Sequence, residues 1–323
     1  MIDGRMRRSS LLCVALLAAG CYDLDALRQP DASHDDDADH PDAGTCVGTA
    51  PAFVADTLSG EEAGGLLSPM GAIDFPSVTY TGSDAPVVLL TVRSRGGATL
   101  ASRCIVFAPR TTGFEYSCFH VGDTPEAPDD VHWLAIQPGV HCVRSEMGAA
   151  RRIAAGVTSC ASSPCAIDFG TSFGDAASVV VLVTPEPIDS PPPKSARVVG
   201  VSLGGATVEL PRAVNVRVHW VALERTPPDD PTLVGDKRLF VGTMDDVSAR
   251  PPSYTLPPFP FAPAPPDSIV LSVFETDPIT HFTVRDVTDA AMESSKLSIE
   301  QLDEAGMPAS VAATVAFLVV APP

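Results

Sequence analysis

Short apolar runs, separated by turn residues, organise this chain. One series reads DAPVVLLTV at Asp84–Val92, AASVVVLVT at Ala176–Thr184 and PDSIVLSVF at Pro266–Phe274, with offsets of 92 and 90 residues. A second series reads VHWLAI at Val131–Ile136, VHWVAL at Val218–Leu223 and VAFLVV at Val315–Val320, with offsets of 87 and 97. The tetrapeptide AIDF occurs at Ala72–Phe75 and again at Ala166–Phe169. Independent landmarks sharing a period of about 90 residues mark an internal repeat. Runs of β-branched and aliphatic residues bounded by Gly, Pro, Asn and Asp predict about five to seven strands per repeat. Only Asp289–Leu302 carries a helical periodicity, and KLSIEQL within it reads equally as turn plus strand. The expected fold is all-β, built of tandem small antiparallel β-sandwiches: unit 1 at residues 46–157, unit 2 at 158–248 and a divergent unit 3 at 249–323.

The VHWLAI run is apolar in both registers. Val131, Trp133 and Ala135 share one parity, and Leu134 and Ile136 the other. A strand with one wet face alternates with polar residues. Two readings fit: one face in its own sandwich and the other against a neighbouring unit, or a central strand covered on both sides within one domain.

The first residues change the picture. Arg5, Arg7 and Arg8 precede an apolar run at Leu11–Ala19, and small residues Ala18-Ala19-Gly20 precede Cys21. That is the layout of a secretory signal, with the apolar run far short of a membrane span. LAAGC resembles the lipobox of bacterial lipoproteins, which implies cleavage of residues 1–20 and acylation of Cys21. The bilayer is then a partner through that lipid, and the expected location is the outer membrane or cell surface. Residues 21–45 are rich in Asp and poor in large apolar groups, which predicts a disordered, extended spacer. A cation site using His34, Asp35, Asp36, Asp37, Asp39 and His40 is the sharper alternative for this tract.

Net charge is −19, which argues against nucleic acid as a partner. Pro, at 32 of 323 residues, favours strands and loops over long helices. Six cysteines follow the tether, and an even count in an exported chain reads as disulfides. The favoured pairings are Cys104 with Cys118 across a turn, Cys160 with Cys165 as a local loop, and Cys46 with Cys142. A zinc site is the alternative, although the chain has no CxxC pair.

Through APVVLLTV, TTGFEYSCF (Thr111–Phe119) and VHWLAI, the first unit resembles the H-type lectin domain, the β-sandwich of snail agglutinins and discoidins. The resemblance covers about Gly71 to Ile136. It is thinner in unit 2 (GVSLGGATVEL, VHWVAL) and limited to layout in unit 3. It implies carbohydrate binding at sites between protomers, and it implies that three tandem units form a pseudo-trimer; a homo-oligomer is the alternative. Arg103 is the nearest match to the family's arginine, and Phe119, His120 and Asp123 occupy the region of its aromatic and histidine ligands. Such a set supplies donors, an acceptor carboxylate and an apolar ring face to a sugar. His132 and His219, beside the strand tryptophans, are expected to face solvent or a neighbouring unit.

No GxSxG, HExxH, P-loop or GxGxxG-after-strand motif is present, so neither an enzyme nor a cofactor or metal is expected. The expected function is a membrane-anchored binding module for glycans or a surface protein. The alternative is a structural cell-envelope lipoprotein, or a protein–protein interaction module, with no sugar ligand.

Overall fold

A computed structural model of the protein describes residues 50–59, 68–75, 80, 84–93, 102–120, 130–188, 196–210, 215–247, 254–255, 268–274, 281–290, 294–302 and 313–322. The signal segment, the tether with Cys21, and Asp123 lie outside them. The first repeat supplies β1 (Phe53–Ser59), β2 (Met70–Asp74), β3 (Val87–Arg93), β4 (Ser102–Arg110), β5 (Gly113–His120) and β6 (Asp130–Ile136). A connecting strand, β7 (Gly139–Ser145), leads to β8 (Ala150–Cys160), β9 (Cys165–Asp168), β10 (Val179–Pro187), β11 (Arg197–Val201), β12 (Gly205–Glu209) and β13 (Val216–Glu224). A second connector, β14 (Thr232–Val234), leads to β15 (Lys237–Val247), β16 (Tyr254–Thr255), β17 (Ser268–Phe274), β18 (His281–Ala290), β19 (Ser294–Leu302) and β20 (Ala313–Ala321). The stretch at Asp289–Leu302 is therefore extended: β19 pairs antiparallel with β18 along its length.

Among the described residues, six strands make each repeat, and all three pair alike. The sixth strand lies between the first and third, giving β1-β6-β3, β8-β13-β10 and β15-β20-β17. The fifth lies between the second and fourth, giving β2-β5-β4, β9-β12-β11 and β16-β19-β18. The expected boundaries fall elsewhere: β8 runs through position 158 as one strand, and β15 ends before 249 yet is the first strand of the third repeat. Neither strand carries a landmark motif, so sequence spacing alone does not assign it.

The two-faced strands explain how the repeats combine. Val131, Trp133 and Ala135 enter a core with Phe114, Tyr116 and Val106 of the same repeat. Val218, Trp220 and Ala222 do the same beside Phe169, Val198 and Val208. The opposite parity (Leu134 and Ile136, Val221 and Leu223, Leu318 and Val320) converges in one further core shared by all three repeats. Contacts run in a cycle: β6 against β17, β20 against β10, and β13 against β3. Burying a leucine or valine contributes about 1.5–3 kcal/mol, so this shared core is a main source of cohesion for repeats too small to hold a large core alone.

The AIDF and VHW motifs prove to be halves of one contact. The Phe75 ring lies 5.6 Å from Trp133, and the Phe169 ring 5.6 Å from Trp220. Each phenylalanine N–H donates at 2.9 Å to the turn before the fifth strand, Phe75 to Thr112 O and Phe169 to Gly204 O.

Cys104 is bonded to Cys118, directly opposite it in the β4–β5 ladder, and Cys160 to Cys165. Cys142 is also disulfide-bonded, and its expected partner, Cys46, lies outside the described residues.

Candidate functional site

Strand pairing seals two junctions of the cycle. Between repeats two and three, β11 runs parallel to β17, with Arg197 opposite Val273 and Val198 opposite Phe274. Between repeats three and one, β18 runs parallel to β3, with Val284 opposite Arg93. Between repeats one and two, β4 lies against β10, yet no ladder joins them among the described residues.

Two local causes account for the open seam. Matching the ladders on the strand tryptophans, Leu90 opposite Trp133 and Val183 opposite Trp220, makes Glu186 the counterpart of Arg93. Glu186 is flanked by Pro185 and Pro187. Proline has no N–H, so β10 has no donor to offer on either side of the position where the other seams pair. On the facing strand, the register of β4 shifts between Phe107 and Arg110, and Ala108 adopts φ 40°. A bulge carrying a left-handed non-glycine residue turns a strand edge away, at a cost of about 1–3 kcal/mol, and such strain concentrates at functional sites.

A cleft of about 660 Å³ occupies the gap. The first repeat contributes an apolar wall of Met70, Phe107 and the Tyr116 ring, with Glu115 at its edge. Tyr116 lies across Gly71, where any side chain would meet the phenol ring. Burial raises the pKa of that phenol, whose hydroxyl donates to Ser68 O at 3.4 Å. The second repeat contributes Ile188, Glu186 and Arg217. Glu186 Oε1 accepts from Arg217 Nη2 at 2.5 Å, and Glu186 Oε2 lies 3.1 Å from His219 Nε2. The Glu186 side chain is 3% exposed and Arg217 45%, so a buried carboxylate holds a half-exposed guanidinium at the cleft.

His219 is wholly buried and reaches the first repeat, accepting the Val88 N–H on Nδ1 at 3.1 Å. The Leu90 N–H is held in the same way by Thr184 Oγ1, at 3.1 Å. The second repeat thus satisfies the bare edge of β3 with side chains. His132 is also buried, with Nδ1 2.7 Å from Thr57 Oγ1. His219 accordingly faces a neighbouring unit, one of the two placements expected for it.

Of the residues singled out by resemblance, Arg103 stands opposite Phe119 in the β4–β5 ladder, and His120 stands one step on, opposite Ser102. Phe119 is half-buried; the side chains of Arg103 and His120 fall outside the described set. Phe119, the one of these whose side chain is described, does not line the cleft between the repeats. Glu186 and Arg217 carried no motif; the readable signal was the TPEP sequence closing a strand whose counterparts close on TVR and SVF.

Comparison with protein-family models, with curated proteins and with solved structures finds no match for this chain.

Proposed function

We propose that this chain is an exported bacterial lipoprotein, held to the outer membrane or cell surface through acylated Cys21, whose repeated β-body binds a carbohydrate in the cleft between its first two repeats. The observation that carries this reading is the unsealed seam. Two prolines and a strained bulge leave a cleft at a junction that, unlike the other two, no strand ladder joins among the described residues. Its lining suits a sugar. Arg217 offers planar donors, Glu115 accepts, and Phe107, Tyr116 and Met70 present an apolar face. The resemblance of unit 1 to H-type lectins supports the same class. The set Arg103, Phe119, His120 and Asp123 is the alternative sugar site on that unit.

A glycan array probed with the detergent-solubilised full chain tests this reading. The expected result is binding that Arg217→Ala weakens about tenfold to a hundredfold, the scale of a lost charged hydrogen bond. Loss on His120→Ala with Arg217→Ala unchanged transfers the site to that set. Absence of binding to any glycan rejects the sugar reading. Anchoring is tested separately: a clickable palmitate analogue labels the wild type and not Cys21→Ser.

A further inference from the structure

We propose that His219 is a proton-sensitive latch between the first two repeats, which joins them beside the Arg217 wall of the cleft while neutral and lets them part on protonation. The Val88 amide can only donate, so Nδ1 of His219 must carry a lone pair. The proton of the neutral ring then sits on Nε2 and is donated to Glu186 Oε2. A continuous chain follows: β3 backbone to His219, His219 to Glu186, Glu186 to Arg217. Every link spans different strands, and the chain begins in one repeat and ends at the cleft wall of the other.

Adding a proton at Nδ1 sets an N–H against the Val88 N–H. Val88 and His219 are both 0% exposed, so water does not take over either bond. Charge works in the same direction. Arg217 already balances Glu186, and a second cation leaves a surplus positive charge in a buried network. Among the described residues, Glu186 of β10 is the ionisable side chain that His219 touches. Arg217, on its own strand, touches Glu186. β3 meets the ring through Val88, and β8 stands across the ladder with Val157. Relief comes from parting β3 from β13, which opens the seam on which the cleft is built. As a control on ligand release the latch rests on the carbohydrate reading; as a proton-driven opening it does not.

Amide hydrogen exchange on the full chain, without ligand, decides between these. The Phe75 amide, held by Thr112 O within the first repeat, is the internal reference. As the solution is acidified, Val88 should lose about tenfold or more of its protection relative to Phe75. His219→Asn places an amide oxygen where Nδ1 stood and should keep Val88 protected at every pH. Glu186→Gln removes the carboxylate that favours the imidazolium and should move the transition to lower pH. Val88 and Phe75 tracking each other in the wild type would overturn the latch, and so would a transition surviving in His219→Asn. Should His219→Asn not fold, the ¹⁵N shift of Nδ1 in the wild type decides: an unprotonated nitrogen at neutral pH supports the latch, and a protonated one rejects it. A failed glycan array with an intact Val88 transition rejects the ligand and keeps the latch.

Discussion

Gly113 and Gly205 hold the same place in successive repeats. A Cβ on either would fall against a backbone carbonyl, Ile73 O in one case and Ile167 O in the other. Backbone atoms inside paired strands do not yield cheaply. Gly113→Ala should therefore destabilise by about 2 kcal/mol or more, read as a lower urea midpoint at constant m. Asp230 gives a second residue-level test. Its carboxylate accepts the Met147 N–H at 2.8 Å and Arg151 Nη2 at 3.1 Å. The Met147 N–H is the main cause that holds its pKa below the ordinary range, against the opposing effect of burial, with Ser145 and Arg151 adding to it. A folded-state pKa below the unfolded value means stability that is complete above about pH 4 and lost as pH falls through the lowered value. Asp230→Asn should cost about 1–3 kcal/mol at neutral pH and flatten this acid limb of the melting-temperature profile. A mutant retaining the full wild-type acid limb would show that the carboxylate is not its source.

At the scale of elements, the strands were the most legible part of the chain, because period-two runs and turn residues are local signals. VHWLAI showed its two buried faces in sequence, and the Cys104–Cys118 pairing followed from two runs flanking one turn. The boundaries were less legible. β8 and β15 belong to their repeats through ladders with residues about 60 to 80 positions away, and pairing over that distance leaves no local mark. The cleft was hidden for another reason: Pro185 and Pro187 act through bonds they do not make. Replacing both with valine restores the donors on β10. The expected result is slowed amide exchange at Val106 and Phe107 as β4 pairs, together with weaker ligand binding. Exchange unchanged by the double substitution would mean that the bulge at Ala108 alone keeps the strands apart.

The whole molecule is held by a core that no single repeat completes. Val87 and Leu89, Val180 and Leu182, and Val270 meet the sixth strands of all three repeats in one cluster. Ending the chain at Asp236 removes β15 to β20, uncovers that cluster and strips β18 from the edge of β3. The truncated chain should associate or precipitate, while the full chain elutes at monomer mass in size-exclusion chromatography with light scattering. A monomeric, cooperatively folding truncation would show that the first two repeats suffice. A cyclic arrangement could be expected from the sequence only through the lectin resemblance, because its contacts join strands a whole repeat apart. Its one unsealed junction also fixes a number. Three equal seams would give each chain three docking places and the power to crosslink whatever it holds. If the proposed ligand sits at the one junction left unpaired among the described residues, a titration should saturate at one equivalent and no lattice should form. On the proposed anchoring through Cys21, avidity would then come from outside the fold, from many copies sharing the plane of the membrane.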